Sequence, residues 1–357
     1  MRKVGIITFF GEFNYGNRLQ NYAVQEIMKD FGMDVVTIKD DNSIKPKSLI
    51  IIIRNLLSSL KNIKLTIKEN KKRRKFREFN KKYINFFDGY ITEENAKEFD
   101  PKFDFFVTGS DQVWNPYYSK CKNYYFLTFC NPDKRICFSP SIGLNELPLK
   151  FISVYHNYLS DYNSVSVREN EGAEIIKTLV DIPVKVLPDP TLVLDKYKWE
   201  ELASKSKLKI ANKKYILTYF LGDIDIYRNK ILGFSKQYNL EVINIYNLED
   251  LKYYDVGPED FVFLIKNASL VLTDSFHGTV FSIIFKTPFI SYDRVDKDGN
   301  MNSRIKTLLG KYDLNHRFQL KTDPLIIDWK NTDNIIKEQR KETISYINSI
   351  INQFEFN

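Results

Sequence analysis

The feature that most constrains the fold of this chain is an alternation of short apolar runs with longer segments of helical periodicity. The opening contains one full cycle: the run KVGIITFF, a glycine-bearing loop, the periodic segment RLQNYAVQEIMKDFG ending in glycine, and the run DVVTI. Short apolar runs predict buried strands, and a period of 3.6 residues predicts an amphipathic helix. The opening therefore predicts a β-α-β unit of the Rossmann type.

Two series of strand-like runs continue this pattern. The first comprises FDFFVTG, RICFSPSIG and SVSVRE, and the second comprises KKYILTYFLG, LEVINIY, SLVLTDS and PFISYD, with helix-like segments between them. Two doubly wound α/β domains are the simplest account. We expect an N-terminal domain at 1–180 with a basic helical insertion at about 44–100, a C-terminal domain at 181–330, and a closing amphipathic helix at 331–357.

Composition excludes several classes of protein. With 357 residues, 43% hydrophobic and 15% aromatic, the chain can build the cores of roughly two globular domains. Met1 is followed at once by a strand-like run, which is not a secretory pattern, and the longest apolar run is far shorter than the ~20 residues of a membrane span. Three cysteines without a C-x-x-C pair indicate neither a disulfide framework nor a zinc site. We therefore expect a cytoplasmic protein whose reduced cysteines mostly serve packing.

A single segment carries the positive charge of the chain. From Lys61 to Lys82 there are eleven basic and two acidic residues, a local excess of nine in a chain of net charge +8. Two interpretations are open: a solvated helical face, or attraction to an anionic membrane, where each basic residue adds about 1 kcal/mol. Phe76, Phe79 and Tyr83 recur at helical spacing, which fits either lipid contact, together with the preceding LIIIIRNLLSSL, or core packing. Nucleic acid is not an expected partner because no recognised nucleic-acid module accompanies the charge.

Polar residues follow two of the predicted strands at the edge where open α/β sheets bind ligands. FGEFNYGN, at residues 10–17, precedes a helix whose free N–H groups can bind an anion or a sugar oxygen. It lacks the spacing of known nucleotide motifs, so a ligand loop and a plain turn both stay open. In TGSDQVWNP, Asp111 and Gln112 can hold sugar hydroxyls and Trp114 can stack on a sugar ring, while Asn115 and the proline after it can form a mere turn.

Cationic and titratable residues follow other strand ends. Arg168, which closes the strand-like part of SVSVRE, is either a fork for a carboxylate or phosphate or one half of a surface ion pair. His277 lies in TDSFHG between a strand and a helix, where a ring with two nitrogens that need partners is a poor filler. A functional role is therefore preferred over that of a satisfied core histidine. Asp274 either orients this ring or caps the next helix. Arg294 and Arg304 can bring further positive charge to the same end of the sheet.

Five pieces in order carry a family resemblance: NYGNRLQNYAVQ, GSDQVWNP, SVRE, LPDPT and DSFHGTVFSIIF. Together they resemble the polysaccharide pyruvyl transferase family over most of the chain. The resemblance implies two Rossmann-like doubly wound domains facing a cleft, as in GT-B glycosyltransferases. It also implies transfer of pyruvate from phosphoenolpyruvate to a diol of a sugar that belongs to a surface polysaccharide or its lipid-linked precursor. No cofactor and no metal are expected beyond phosphoenolpyruvate as the donor substrate.

The resemblance also implies roles for the strand-end residues. His277 matches the family's histidine in its H-G pair and is expected to act as general acid/base or to assist the departing phosphate. Arg168 matches the family's strand-end arginine, whose guanidinium suits an anionic donor. Ser275 is a departure, because members of the family often have a donor-binding arginine two residues before the histidine. We expect Arg294 or Arg304 to supply that charge.

The expected site residues fall into three groups. The catalytic residues are His277 and Asp274. The donor-binding residues are Arg168, Ser275, Gly278, Arg294 and Arg304. The acceptor-binding residues are Asn14, Tyr15, Asn17, Gln20, Ser110, Asp111, Gln112 and Trp114.

Two alternatives of other classes stay open at this point. The same cleft fits a glycosyltransferase with a nucleotide-sugar donor, since a fold does not fix a function. It also fits a non-catalytic glycan-binding or assembly protein that lost donor chemistry with the missing arginine. The expected partners are phosphoenolpyruvate, a glycan or polyprenyl-diphosphate-linked sugar, and an anionic membrane contacted through Lys61 to Lys82. The expected location is the cytoplasm, at the inner face of the membrane if that contact forms.

Overall fold

A computed structural model describes residues 1–11, 13–40, 63–210, 214–246, 251–294 and 303–356. The strands are β1 (Lys3–Ile7), β2 (Asp34–Asp40), β3 (Phe86–Ile91), β4 (Phe105–Thr108), β5 (Arg135–Cys137), β6 (Val165–Val167), β7 (Val184–Val186), β8 (Tyr215–Tyr219), β9 (Glu241–Asn244), β10 (Leu270–Thr273) and β11 (Phe289–Ser291). The helices are α1 (Tyr15–Asp30), α2 (Ile63–Tyr83), α3 (Pro116–Ser119), α4 (Leu149–Leu159), α5 (Asn170–Leu179), α6 (Pro190–Val193), α7 (Lys196–Ser204), α8 (Arg228–Tyr238), α9 (Pro258–Asn267), α10 (Phe276–Phe285), α11 (Ser303–Lys311) and α12 (Thr332–Phe356).

Two parallel sheets define two lobes. In the N-terminal lobe the strand order is β3-β2-β1-β4-β5, and β6 and β7 form a parallel pair beside β5. In the C-terminal lobe the order is β11-β10-β8-β9, again with every pairing parallel. In parallel sheets whose strand order reverses in this way, the ligand crevice lies at the carboxyl ends of the strands, at the point of reversal. The predicted fold class of two Rossmann-like domains facing a cleft is confirmed.

Apolar runs explain why the central strands form. All residues of β4, β8 and β10 are buried, as expected for parallel strands covered on both faces. The sequence interpretation does not contain two of the strands: β3, half of whose residues are exposed, and β7, which has only three residues, with Lys185 exposed between two partly buried valines. Because β7 pairs with β6, the strands of the N-terminal lobe extend past residue 180. The division into domains stays a prediction.

Helix α1 lies between the two lobes and is buried along most of its length. Asn14 caps it by accepting a hydrogen bond from the backbone N–H of Asn17 at 3.0 Å. Of its sixteen residues, thirteen are buried, including polar ones such as Gln20 and Asn21. A helix buried on nearly all sides must contact several elements. It contacts β1 and β2 in its own lobe, α6 after β7, and α9 in the C-terminal lobe.

Helix α12 returns to the N-terminal lobe at the end of the chain. Its buried residues Tyr346, Ile347, Ile350 and Ile351 belong to the hydrophobic core that both lobes share. The ring of Phe354 lies 4.9 Å from the ring of Phe105 in β4. The last helix therefore covers the first sheet, although it follows the second sheet in sequence.

Helix α2, the described part of the basic segment, contacts the C-terminal lobe through lysines at helical spacing. The Lys68 ammonium lies 2.8 Å from a carboxylate oxygen of Asp255, and that of Lys75 lies 2.7 Å from Asp260. Lys72, between them, is 1% exposed. Lysines at i, i+4 and i+7 share one face of a helix, so this face of α2 binds the C-terminal lobe.

The Lys72 ammonium lies among aromatic rings. Its Nζ is 4.9 Å from the ring centroids of Tyr15 and Tyr254 and 5.2 Å from that of Tyr246. Burial lowers the pKa of Lys72 to about 8, although Asp255 and Glu69 raise it in part. The electron-rich faces of these rings attract the Lys72 ammonium and replace part of the stabilisation that hydration gives an exposed lysine.

The aromatic residues of α2 belong to the core. Phe76 and Phe79 are fully buried, and their rings lie against those of Tyr15 and Tyr22 in α1. Of the two interpretations left open for these aromatics, core packing is the one observed for Phe76 and Phe79, because α1 covers them. The upstream run LIIIIRNLLSSL and Lys61 lie outside the described residues. Within the described part of the chain, no helix is both long enough and apolar enough to cross a bilayer.

All three cysteines are free thiols in the N-terminal lobe. Cys130 and Cys137 are buried, and burial raises the pKa of each to about 12. Thiols with such pKa values are poor nucleophiles at neutral pH. Their environment therefore fits the expected packing role.

Candidate active site

His277 lies in the first turn of α10, where β10 ends at the cleft. Ser275 caps this helix: its hydroxyl accepts a hydrogen bond from the Gly278 N–H at 3.4 Å. The ring is 8% exposed and contacts the opposite lobe on two sides. Its Nε2 lies 3.6 Å from Oδ2 of Asp189, which follows β7. On the other side of the ring, Nδ1 of His277 lies so close to Gly16 of α1 that a Cβ atom added to this glycine would be 2.0 Å from it.

Arg168 and Asp189 form a buried ion pair beside this histidine. Nη1 of Arg168 lies 2.7 Å from Oδ2 of Asp189, and the Ser110 hydroxyl donates to the same oxygen at 2.6 Å. The guanidinium carbon of Arg168 lies 4.3 Å from the ring centroid of Phe276, in α10. Nε and Nη2 of Arg168 are buried and have no hydrogen-bond partner among the described residues. Two nitrogens of this guanidinium, which carry three N–H groups between them, are therefore still available to an acceptor.

Two further guanidinium groups lie in the same region. Burial and repulsion by Arg168 and Arg294 lower the pKa of Arg304 in α11 to about 10, while Glu169 and Asp111 raise it in part. Repulsion of this kind falls off with distance, so both guanidinium groups lie near that of Arg304. Arg168, Arg294 and Arg304 come from three separate stretches of the chain, and the fold brings their guanidinium groups into one region, where Asp189 and Asp274 balance part of the positive charge.

A small cavity borders two of these arginines. It is lined by Arg168, Asp189, Phe276 and Arg304, among others, and its volume is about 10 Å³. This is roughly the space that one water molecule needs. The lobes therefore pack closely beside Arg168 and Arg304.

A larger cavity of about 550 Å³ is lined in part by Arg294. Four of the residues predicted to bind the acceptor line it: Asn14, Asn17, Asp111 and Gln112. The Asn17 amide donates to Oδ2 of Asp111 at 3.1 Å, and Oδ1 of Asp111 accepts from the Gln112 N–H at 2.8 Å. The first and second strand-end loops are therefore brought together. The volume is in the range of small-molecule sites.

The backbone at Asp111 is unusual. Its φ angle is +82°, which residues other than glycine rarely adopt. This conformation lets both carboxylate oxygens accept hydrogen bonds from neighbours at the edge of the cavity. Strained backbone of this kind is often found at functional sites.

The other four predicted acceptor residues serve packing or the donor side. Tyr15 stacks on Phe261 at 4.6 Å, and its hydroxyl donates to the Val256 carbonyl at 3.1 Å. The Gln20 amide donates to the Thr8 hydroxyl at 2.8 Å in the interior. Ser110 binds Asp189, as described above.

The expectation that Trp114 stacks on a sugar requires correction. Its ring is fully buried, lies parallel to that of Phe126 at 5.0 Å, and donates from Nε1 to the Tyr125 carbonyl at 3.0 Å. Both its face and its polar edge are therefore occupied. Tyr117 and Tyr118, which follow it, are exposed and line the large cavity instead.

Asp274 does not orient the His277 ring in this structure. Its carboxylate accepts hydrogen bonds from the N–H groups of Leu221 at 2.7 Å and Gly222 at 2.8 Å, and lies 3.9 Å from Nε of Arg294. Burial raises its pKa, although Arg294 and these hydrogen bonds lower it in part. The helix cap is Ser275, so neither role expected of Asp274 is observed.

Ser275 and Gly278 serve the start of α10. Besides capping, Ser275 donates its N–H to the Thr273 hydroxyl at 3.0 Å. A Cβ atom on Gly278 would lie 2.6 Å from that same hydroxyl oxygen, so the helix approaches β10 closely only because the residue is glycine. Through these contacts, Ser275 and Gly278 fix the position of His277 at the start of α10. Contact of either residue with the donor stays a prediction.

Sequence reasoning missed two buried carboxylates. Asp189 lies in LPDPT, where the aspartate before a proline indicates a helix cap and nothing more. Glu169, next to Arg168, accepts hydrogen bonds through Oε1 from the hydroxyl of Ser141 and the N–H groups of Ile142 and Gly143. Each carboxylate binds segments that are distant in sequence, so local patterns could not reveal them.

Comparison with known proteins gives one family and a set of similar folds. The family model described as polysaccharide pyruvyl transferase matches residues 14–296. No curated protein matches the chain. Among solved structures, the chain is similar to UDP-GlcNAc 2-epimerase from Neisseria meningitidis bound to UDP-GlcNAc, with 12% identity over 99% of this chain and 94% of that one and a TM-score of 0.48.

Two other solved structures are similar at comparable identity. UDP-N-acetylglucosamine 2-epimerase from Rickettsia bellii shows 12% identity over 100% of both chains and a TM-score of 0.47. The ADP-heptose lps heptosyltransferase II of E. coli shows 10% identity over 99% of both chains and a TM-score of 0.34. The fold assignment rests on the strand orders described above.

Proposed function

The chain belongs to the polysaccharide pyruvyl transferase family, and on this premise we propose that it transfers pyruvate from phosphoenolpyruvate to two hydroxyl groups of a sugar. The observation that carries the proposal is the convergence of His277 with Arg168, Arg304 and Arg294 between the lobes. An imidazole can move protons near neutral pH, and guanidinium groups bind phosphate and carboxylate.

Arg168 is the best-supported donor ligand. Phosphoenolpyruvate carries a phosphate and a carboxylate close together, and a guanidinium forms paired hydrogen bonds with either. The free Nε and Nη2 of Arg168 are buried, where an unsatisfied donor costs about 1–3 kcal/mol. An anionic ligand that accepts both would remove this cost.

The donor requires the lobes to separate before it binds. The cavity beside Arg168 and Arg304 has room for about one water molecule. Phosphoenolpyruvate has roughly ten non-hydrogen atoms, whereas water has one, so the donor does not fit into this cavity as it stands. Domain closure around a substrate is common in two-lobed enzymes and excludes water from the reaction. We propose that the closed arrangement is the one in which the reaction occurs.

The chemical step balances without a further reactant. A proton adds to the methylene carbon, two C–O bonds form between C2 and the sugar oxygens, and the bond from C2 to the phosphate oxygen breaks. The two hydroxyl groups lose two protons, of which one balances the new methyl group and the other leaves with phosphate. His277 is the proposed general acid/base for these transfers.

We propose that the acceptor sugar lies in the large cavity. Asn17, Asp111 and Gln112 present amide and carboxylate groups to it, and Tyr117 and Tyr118 present aromatic rings at its edge. Sugars bind through hydroxyl hydrogen bonds and through stacking on aromatic faces. Arg294 lines this cavity and also affects the pKa of Arg304, so it lies between the proposed acceptor and donor positions.

A binding and turnover assay tests the function. We expect phosphoenolpyruvate to raise the melting temperature, by an amount equivalent to about 2.7 kcal/mol at a concentration of 100 times Kd. With a suitable glycan, phosphate is released and the glycan gains the mass of a pyruvate ketal. Stabilisation by UDP-sugars alone would indicate a glycosyltransferase, and stabilisation by oligosaccharide alone would indicate a glycan-binding protein.

We also propose that the outward face of α2 contacts an anionic membrane at the inner face, where a lipid-linked acceptor is available. Lys64, Lys71, Arg74 and Lys81 are exposed on α2, whereas Lys72 is buried against the C-terminal lobe. Each basic residue near an anionic surface contributes about 1 kcal/mol.

Co-sedimentation with vesicles tests this contact. We expect the protein to bind vesicles that contain phosphatidylglycerol and not vesicles of phosphatidylcholine alone. Replacing Lys71, Arg74 and Lys81 together with glutamate should remove binding, since the helix then repels the surface. A matched triple replacement of the exposed lysines Lys205, Lys236 and Lys341 should leave binding largely intact. Equal loss in both triple variants would show that total charge, not α2, drives the association.

A further inference from the structure

We propose that Asp189 is the positioning residue for His277: its carboxylate holds the ring with the proton on Nε2 and leaves Nδ1 as the nitrogen that exchanges protons with the substrate. The functional part of this inference rests on the proposed pyruvyl transfer. The part that concerns the ring itself does not, because a tautomer exists whether or not the protein turns over a substrate.

The first support is the fixed position of the Asp189 carboxylate. Asp189 is fully buried at the start of α6. Its Oδ1 accepts hydrogen bonds from the N–H of Thr191 at 3.0 Å and from the hydroxyl of the same residue at 2.6 Å. A side chain held in this way cannot rotate without losing the helix cap. The second oxygen, Oδ2, is therefore fixed toward the cleft.

The second support is the set of groups around Oδ2. The Ser110 hydroxyl donates to it at 2.6 Å and Nη1 of Arg168 at 2.7 Å, and Nε2 of His277 lies 3.6 Å away. Burial by itself would raise the pKa of Asp189, but the electrostatic interaction with His277 and Arg168 and the hydrogen bond from Ser110 lower it well below its usual range. The carboxylate is thus a negative charge at neutral pH, and it accepts protons in hydrogen bonds without donating one.

The third support is the state of the His277 ring. Nε2 is buried and has no hydrogen-bond partner among the described residues, which is costly for a polar atom. At 3.6 Å the contact with Asp189 is longer than a hydrogen bond, and such contacts in ligand-free enzymes often shorten in the complex. A shift of under about 1 Å would complete it. Only a protonated Nε2 can then donate to the carboxylate.

The fourth support is the position of Nδ1. It faces Gly16 across the gap between the lobes, where only a hydrogen atom fits beside it. Of the two ring nitrogens only Nε2 is a buried atom without a partner in the described part of the chain, so we place the substrate on the Nδ1 side while Asp189 keeps its contact with Nε2. A neutral imidazole with its proton on Nε2 has its lone pair on Nδ1. That nitrogen can accept a proton from a sugar hydroxyl, and the nearby carboxylate then stabilises the imidazolium.

Nitrogen NMR tests the tautomer directly. The chain has three histidines, and the other two, His156 and His316, are exposed and serve as internal references. In ¹⁵N-histidine-labelled protein above neutral pH, we expect His277 to show the Nε2–H tautomer, and Asp189→Asn to change this to a mixture. A wild-type spectrum with the proton of His277 on Nδ1 would overturn the proposal, even if the protein proves to be a pyruvyl transferase.

The kinetic test uses two matched variants. Asp189→Asn keeps the size of the side chain and its ability to cap α6 but removes the charge. We expect kcat to fall by about 100-fold, and the midpoint of the pH–activity profile to move to lower pH by roughly one unit, because the imidazolium loses its partner. Thr191→Val removes a hydrogen bond from the same carboxylate but keeps its charge, and should lower Tm without moving the midpoint.

Each outcome decides one question. If both variants lower Tm and neither moves the pH midpoint, Asp189 is only a cap for α6 and the proposal is rejected. If Asp189→Asn does not fold, the wild-type tautomer still decides. If the wild-type protein transfers no pyruvate, the proposed function fails, and the NMR result then stands alone as the test of the Asp189 contact.

Discussion

Replacing His277 with glutamine is expected to lower pyruvyl transfer by about two to four orders of magnitude while the protein stays folded. General acid/base catalysis by a positioned side chain typically contributes 10²–10⁴-fold, and glutamine cannot exchange protons near neutral pH. Glutamine keeps a polar side chain of similar length at the start of α10, where Ser275 continues to cap the helix. Phosphate release and ketal formation measured at saturating phosphoenolpyruvate are the readouts.

The control for His277→Gln uses the exposed histidines. His156→Gln and His316→Gln change the same chemistry on the protein surface and should retain full activity. Melting temperature and phosphoenolpyruvate binding separate a catalytic defect from a folding defect. Unchanged turnover in the folded His277→Gln protein would remove the histidine from the chemical step and leave the guanidinium groups as the whole of the site.

Gly16→Ala is expected to reduce activity by at least about 100-fold through a single added methyl group. A Cβ atom at this position would lie 2.0 Å from Nδ1 of His277, a distance that non-bonded atoms never adopt. The ring must move or the lobes must stay apart, and either change separates His277 from Asp189 and Arg168. Misplacement of a catalytic group by about 1 Å can cost about 100-fold in rate.

The stability of Gly16→Ala should not fall in parallel with its activity. Alanine is favoured over glycine by about 1 kcal/mol in a helix interior, and Gly16, as the second residue of α1, gains a part of this. Gly233, in α8, is the matched control, because a Cβ atom there meets no other atom within 4 Å. Gly233→Ala should therefore be fully active. Full activity in Gly16→Ala would show that the closed contact between His277 and α1 does not occur during turnover.

Much of the fold could be predicted from the sequence because the central strands are apolar along their whole length. β4, β8 and β10 are buried on both faces and stand out against their polar neighbours. β3 is an edge strand whose exposed residues include Asp88 and a glycine at a φ of +143°, so its composition resembles a loop. β7 has three residues, too few for a period to be visible.

The site could be predicted only where a residue reveals its role through its own chemistry. His277 and Arg168 stood out because a histidine and an arginine at strand ends are poor fillers. Trp114 also follows a strand end and suggested a binding role. Aromatic side chains, however, pack in hydrophobic cores as often as they bind sugars, and Trp114 packs on Phe126. Asp189 gave no local signal beyond that of a helix cap, since its partners lie 79 and 21 residues away in sequence.

Helix α2 has a consequence for how this chain can be divided. It is inserted in the first half of the sequence, yet Lys68, Lys72 and Lys75 are neutralised or enclosed by residues of the second half. A fragment that ends between the halves would lack Tyr246 and Tyr254, so the face of α2 that carries Lys72 would be uncovered, and α12 would be missing from the first sheet. Expression of either half alone is therefore a poor route to a folded unit, and the smallest piece suitable for study is the intact polypeptide.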